Sequence, residues 1–434
     1  MDTDDLIRRA LVERLEPVDE ASAWQEIRER AADERRRRHL PLAAACVFLV
    51  LLLTGMVALL RDDGAPGDVE TRPDAPSVAP ADPDTWRPLA DGPLSARSGA
   101  VAAWTGEEMV IAGGTDAPPC PAGGDCEYVD GRLADGAAYD PAVDSWHPIA
   151  TAPLPFEDAT AVWTGDVMLV FVGSSPSGDD AALLAYDPQS DEWSERATPP
   201  MRHPRPLWTG EVAVDVAGFN TSGAVDWTYD PASDTWHELP TDPLGCGQDR
   251  QGAWAGDRLV VFWKACTSNP NSIEPSLYYG ASALDLASGQ WERLPDSGVA
   301  GWGPWWELDG RLVSIEVGAV DGGGPSPSDR PHELGGIFDL ADGVWEPLPQ
   351  PGVEITAVPA GVGYEGAAGP WVVSGRRMFA PATATWRPIP APPAGAGDDP
   401  VAVWTGHEII QWGGVAADGA THVATGAAYA PPAP

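Results

Sequence analysis

The sequence has almost no lysine. Lys264 is the only one in 434 residues, and 26 basic residues in all face 65 acidic ones, for a formal net charge of -39. Such an acid excess repels nucleic-acid phosphates and anionic lipid headgroups, so no nucleic-acid partner is expected; it favours solubility and basic partners. Cysteine is scarce too, at five, and no pair has CxxC spacing or a histidine set nearby, which argues against zinc. His147, His203, His237, His332, His407 and His422 show no metal-ligand spacing, and Asp179-Asp180 and Asp398-Asp399 lack the ordered oxygens of a calcium loop. There is no GxSxG or Walker A motif, and Gly361-Val362-Gly363 has no following helix to hold a phosphate. No cofactor, metal or catalytic residue is therefore expected.

What is present points to an all-β chain. Gly 48 and Pro 46 make many turns, while Trp 20 is far more aromatic surface than a disordered linker carries. Leu40 to Leu60 is an uncharged run long enough to cross a hydrocarbon core of about 30 Å as a helix. Arg35 to Arg38 precede it, and Arg61, Asp62 and Asp63 follow, which places the N-terminus in the cytoplasm. A cleaved signal peptide would need a shorter core and a small-residue site after it. The expected organisation is a cytoplasmic tail (1–39), a single membrane span (40–60), a Pro/Asp/Ala-rich linker (61–82) and a large extracytoplasmic domain (83–434).

Outside the span stand Cys120, Cys126, Cys246 and Cys266, an even number in a disulfide-permissive compartment. Four cysteines allow three pairings. The expected ones are Cys120 with Cys126, closing a small loop, and Cys246 with Cys266, flanking a hairpin that turns at Ala255-Gly256.

Internal repetition organises the rest. YDPAVDSW ends at Trp146, YDPQSDEW at Trp193 and YDPASDTW at Trp236; LDLASGQW, FDLADGVW and FAPATATW end at Trp291, Trp345 and Trp386. In each, an aromatic or apolar residue, Tyr139, Tyr186 and Tyr229 in the first three, stands seven places before the Trp. Between these units recurs Trp-Thr-Gly or a relative, at Trp104, Trp163, Trp208, Trp254 and Trp404. The version at Trp306 is lengthened and the one near Gly363 degenerate. Each unit predicts four short strands, a to d. A glycine gives the a–b turn its positive φ, strand b closes on glycines (Gly113-Gly114, Gly413-Gly414), and Tyr-Asp-Pro turns c into d.

The diglycine, the tyrosine and the spaced tryptophan resemble the kelch motif, whose repeats form four-stranded blades of a β-propeller, as in the central domain of galactose oxidase. The resemblance implies a propeller over residues 83–434. A lone strand at Trp86 and an incomplete last unit at Tyr429 predict seven blades closed by pairing these ends, which removes exposed sheet edges; the degenerate sixth unit leaves six or eight as alternatives. The resemblance does not extend to oxidase chemistry, since the cysteines are taken up by pairing and none is left for a tyrosine cross-link.

Strand parity puts the a–b and c–d turns on one face and the b–c and d–a connections on the other. The former are short and nearly constant; the latter vary, with the largest b–c excursions at 115–134, 174–182, 264–280 and 316–335. Variable loops on a rigid scaffold are where binding resides. The expected function is a membrane-tethered module that binds a protein or glycan ligand on its b–c face. A carbohydrate-active enzyme is the alternative. A sensor acting through the tail is another: residues 4–15 and 22–31 predict two short helices, the second with a Ser22/Gln25 capping box. That tail resembles those of membrane-anchored regulators such as anti-sigma factors, without their histidine–cysteine zinc motif.

Overall fold

A computed structural model describes residues 82–120, 129–174, 181–218, 225–243, 247–265, 279–295, 304–315, 335–349, 351–352, 363–393 and 395–434. The expected tail, membrane segment and most of the linker lie outside these residues, and no helix among the described residues is long and apolar enough to cross a membrane.

The described chain is all β, in seven separate four-stranded antiparallel sheets, the blades of a propeller. Strand β1 (Trp86–Pro88) is held back for the last blade. Blade 1 is β2 (Ser98–Trp104), β3 (Met109–Thr115), β4 (Gly136–Asp140) and β5 (Ser145–Ile149). Blade 2 is β6 (Thr160–Trp163), β7 (Met168–Val172), β8 (Ala182–Asp187) and β9 (Glu192–Glu195). Blade 3 is β10 (Leu207–Trp208), β11 (Ala213–Asp215), β12 (Trp227–Asp230) and β13 (Thr235–Glu238). Blade 4 is β14 (Gly247–Trp254), β15 (Leu259–Ala265), β16 (Tyr279–Asp285) and β17 (Gln290–Arg293). Blade 5 is β18 (Trp306–Leu308), β19 (Arg311–Ser314), β20 (Gly336–Asp339) and β21 (Val344–Glu346). Blade 6 is β22 (Gly366–Ala368), β23 (Trp371–Ser374), β24 (Arg377–Ala380) and β25 (Thr385–Pro388). Blade 7 takes β26 (Val401–Trp404), β27 (Ile409–Trp412) and β28 (Gly426–Tyr429), and β1 completes it with Trp86 opposite Tyr429.

The middle strands are the core. They carry runs of Val, Ile, Leu, Met and Ala, as in MLVFV of β7, where all five residues are buried, because each blade is covered on both sides by its neighbours. Six apolar clusters among the described residues each bridge one pair of neighbouring blades: 7–1, 1–2, 2–3, 4–5, 5–6 and 6–7. Blades 3 and 4 share none of them.

In the sixth unit the a–b turn is Gly369-Pro370 rather than a site near Gly363. With no Trp-Thr-Gly there, the turn tightens to two residues and the tryptophan, Trp371, moves to the start of strand b, where it is fully buried.

Candidate functional site

The a–b and c–d turns are locked by repeated polar bonds. In four a–b turns the threonine hydroxyl accepts a backbone N–H three residues on, as at Thr105 from Glu108 (2.9 Å), Thr164 from Val167 (3.0 Å), Thr209 from Val212 (3.1 Å) and Thr405 from Glu408 (3.0 Å). The next residue is a glycine with φ between 98° and 106°, as at Gly106, Gly165, Gly210 and Gly406. In the c–d turns Asp140, Asp187 and Asp230 each accept the N–H two residues on at 2.8 Å.

Every strand-d tryptophan donates its indole N–H across the seam, to the carbonyl just past strand d of the preceding blade. Trp146, Trp193 and Trp236 reach Ala90, Ala150 and Ala197 at 2.8–2.9 Å. Trp291, Trp345, Trp386 and Trp86 reach Pro240, Pro295, Pro349 and Pro390 over the same distances. Two residues before each of these tryptophans the backbone is left-handed, at Asp84, Asp144, Asp191, Asp234, Gly289, Gly343 and Ala384 (φ from 50° to 68°). Where Tyr139, Tyr186, Tyr229 or Tyr429 faces that position it is an aspartate, which accepts the phenol at 2.6–2.9 Å. Burial first, then the neighbouring carboxylate, raises the pKa of Tyr186, Tyr229 and Tyr429. Tyr139 is raised too, chiefly by burial, against the pull of Arg87.

The glycines that close strand b stitch the opposite face. Gly113 and Gly114 (φ 68° and 91°) and Gly413 and Gly414 (φ 75° and 98°) turn the chain so that Gly114 donates to Phe156 O (2.8 Å) and Gly414 to Arg97 O (2.9 Å), each in the segment that enters the next blade. A side chain at Gly113 would run into Phe156, which is fully buried.

That face also holds four of the five buried charged residues among those described; the fifth, Glu408 in an a–b turn, meets Arg87 at 3.0 Å on the turn face. Arg97, with a side chain 0% exposed, forks onto Asp135 at 2.8 and 3.0 Å and bonds Gly113 O at 3.1 Å. This fork lowers the Asp135 pKa against its partial burial. At the seam of blades 3 and 4, Arg250 of β14 forks onto Asp226 at 2.6 and 2.7 Å and also meets Asp242 at 3.3 Å. Asp215, at the end of β11, accepts the Arg205 N–H. Burial pushes its carboxyl up; the Arg205 bond opposes this and the Asp226 charge adds to it, leaving a pKa of about 6. Sequence reasoning singled out none of these four residues, since none is repeated and they come from four separate segments.

A carboxyl displaced upward beside a second carboxyl is the arrangement of many acid–base sites. Here the group is closed: Asp215, Asp226 and Arg250 are each 5–6% exposed, so no substrate reaches them without opening the seam. Among the described residues no three His, Cys, Asp or Glu are grouped to hold a metal.

The structure does not gather the other expected residues into one place. The b–c connections range from residues 375–376 in blade 6 to 315–335 in blade 5, and 216–226 and 413–425 are further long ones that the sequence reading left out. Cys120 is disulfide-bonded; Cys126, Cys246 and Cys266, and hence both expected pairings, lie outside the described residues. His147 meets Glu108 at 3.0 Å and His237 meets Thr235, both on the turn face of their own blades.

No protein-family model and no curated protein matches this chain. A similar solved structure is that of YjhT, at 12% identity and a TM-score of 0.40, covering 78% of this chain and 96% of that one. So distant a likeness leaves function to be argued from the site itself.

Proposed function

We propose that this chain is a membrane-tethered, extracytoplasmic propeller of kelch type that binds a protein or glycan ligand on the face of its b–c loops. The observation that carries this reading is the contrast between the two faces. One is built from short turns, four of its seven a–b turns being near-copies bonded internally; the other varies in length and composition from blade to blade, and ligand recognition needs such unrepeated surface. The first described residues support the geometry. Asp84 donates its N–H to Ala430 O at 2.8 Å, so the first described residues meet the C-terminal segment on the turn face, opposite the b–c loops. Pairing of Gly247 with Ala265 supports the expected Cys246–Cys266 bridge, because Gly247 immediately follows the first cysteine in sequence and Ala265 immediately precedes the second.

The enzyme alternative would need an accessible pair of groups in place of the closed one around Arg250, and the reading through the tail rests on residues 1–39 alone. Binding of the purified full chain, in detergent, to an array of glycans and to cross-linkable membrane proteins tests the proposal. Replacing 116–135 or 413–425 by a two-residue turn should abolish binding; Gly165→Ala on the turn face should leave it intact. Loss only with turn-face changes overturns the proposal.

A further inference from the structure

The turn face has a centre that its scaffold role does not use up. The first strands of neighbouring blades meet one another, β2 with β26 and β6, β10 with β6 and β14, and β18 with β14 and β22, so strands a line the middle of the ring. In five successive blades, 7 and 1 to 4, strand a ends on a tryptophan at the turn face: Trp404, Trp104, Trp163, Trp208 and Trp254. Blades 5 and 6 break the series, because their a–b turns are the two residues Asp309-Gly310 and Gly369-Pro370 and strand a ends on Leu308 and Ala368. The five indoles therefore form an arc around one side of the centre.

All five are half-buried, and the rings of Trp104, Trp163, Trp208 and Trp404 pack against the apolar clusters of the seams. Their N–H groups are a different matter. Among the described residues none accepts a hydrogen bond from any of the five, and none of these N–H groups is sealed from water. Elsewhere in the propeller the indole N–H has a recurrent partner, the carbonyl of a proline. Trp291, Trp345, Trp386 and Trp86 use Pro240, Pro295, Pro349 and Pro390 at 2.8–2.9 Å, and Trp371 donates to Pro432 O at 2.7 Å. An extended proline-rich chain presents such carbonyls all along its length, makes no internal hydrogen bonds and has few N–H groups needing partners of their own.

Charge narrows the partner further. Three residues after these tryptophans stand Glu107, Asp166, Glu211 and Asp257, with His407 in blade 7, all of them exposed. Glu107, Asp166 and Glu211 meet no basic side chain among the described residues, while Asp257 shares Arg258 (3.4 Å) with Glu292 (3.5 Å). Carboxylates in this arc repel anionic lipid and attract cations. A neutral glycan would draw on ring faces, which the seams occupy.

We propose that this arc is a docking surface, separate from the b–c face, for an extended proline-rich segment of a partner protein that carries arginine or lysine between its prolines. The indole N–H groups donate to the partner's carbonyls, and the carboxylates outside them take its cationic side chains. A propeller whose b–c face bound nothing would still have this surface.

Fluorescence anisotropy of a dye-labelled peptide of repeated Pro-Pro-Arg triplets, titrated with the full chain in detergent, tests the proposal. A Gly-Ser-Arg peptide of equal length and charge should bind about tenfold more weakly, since it is not pre-ordered, and a Pro-Pro-Glu peptide should not bind. Trp104→Phe combined with Trp163→Phe keeps aromatic packing, removes two donors and should weaken the Pro-Pro-Arg peptide about tenfold. Glu107→Gln with Asp166→Asn, at exposed positions outside the core, should weaken it about fivefold at low salt and make no difference at high salt. The 413–425 replacement should leave its binding unchanged. Failure of the Pro-Pro-Arg peptide to bind the wild-type chain overturns the proposal. So does equal binding of the two arginine peptides, which would reduce the effect to net charge. Loss of binding in the 413–425 replacement, with both arc variants binding at full strength, places the site on the b–c face and overturns it as well.

Discussion

Blades 1 to 3 and blades 4 to 6 have the same strands and the same tryptophan, yet they are fastened differently. At the seams entering blades 1, 2 and 3 the tryptophan acceptor is an alanine, and its own N–H is free to donate back. Asp144, Asp191 and Asp234 accept it at 2.7–2.9 Å while also accepting a tyrosine of their own blade, so two bonds cross each seam and a third holds the aspartate in place. At the seams entering blades 4, 5 and 6 the acceptor is Pro240, Pro295 or Pro349, which has no N–H. There the tyrosine is replaced by Leu284, Phe338 or Phe379, and the aspartate by Gly289, Gly343 or Ala384. Once proline removes the donor and the phenol is gone, a carboxylate has nothing to accept, and only the left-handed backbone remains to be met. Blade 7 combines the two: Trp86 bonds Pro390, but Asp84 keeps Tyr429 and gains Arg387 at 3.2 Å.

The sharpest way to break this comparison is to remove the two-bond acceptor. Asp191→Ala leaves the buried Tyr186 hydroxyl and the Ala150 N–H without their partner and puts an alanine at φ 54°, for a loss of about 2–3 kcal/mol. Gly343→Ala, at φ 66° with open space around it, should cost only about 1 kcal/mol from backbone strain. Urea or thermal unfolding of the two variants measures the gap, and equal losses would mean that the extra bonds add nothing.

A smaller effect is expected from exchanging the rings. Tyr186→Phe should cost about 1 kcal/mol, because Asp191 keeps the Ala150 N–H and is exposed to water. Phe338 lies on Trp345 much as Tyr186 lies on Trp193 (4.6 Å and 42° against 5.0 Å and 39°). Phe338→Tyr therefore places a hydroxyl opposite Gly343, where no side chain accepts it. Adding Gly343→Asp should recover about 1 kcal/mol in a double-mutant cycle, and a coupling near zero would show that the pairing of Tyr with Asp is incidental.

The ring itself was legible in the sequence because its determinants are local. Tyr139 to Trp146 fixes the c–d hairpin within eight residues, and the unpaired ends at Trp86 and Tyr429 announced the closing strand. The seams were less legible, since their partners lie far apart in sequence: Trp193 meets Ala150 across 43 residues, and an alternation of Ala with Pro in one unit has meaning only beside an Asp or Gly in the next. The Arg250 group was invisible for a related reason. Its four members come from β11, β14 and two irregular loops, and no spacing rule connects such segments before the blades are stacked.

Ala384 gives the finest test. It is the one position of the seven left-handed ones filled by neither aspartate nor glycine, at φ 52°, in a unit that reads FAPATATW. A Cβ in this region costs roughly 1–2 kcal/mol, and the Pro349 acceptor offers no N–H that a side chain there could accept. Ala384→Gly removes that strain but adds chain entropy in the unfolded state of about 0.5–1 kcal/mol. The net should be a gain of about 0.5–1 kcal/mol, seen as a small rise in the urea midpoint with an unchanged slope. The same change at Asp144, Asp191 or Asp234 should destabilise, because there the side chain is a bonding partner and not merely a tolerated one. A glycine that stabilises blade 6 and weakens blade 2 would show that one backbone requirement is met by two different chemistries around a single ring.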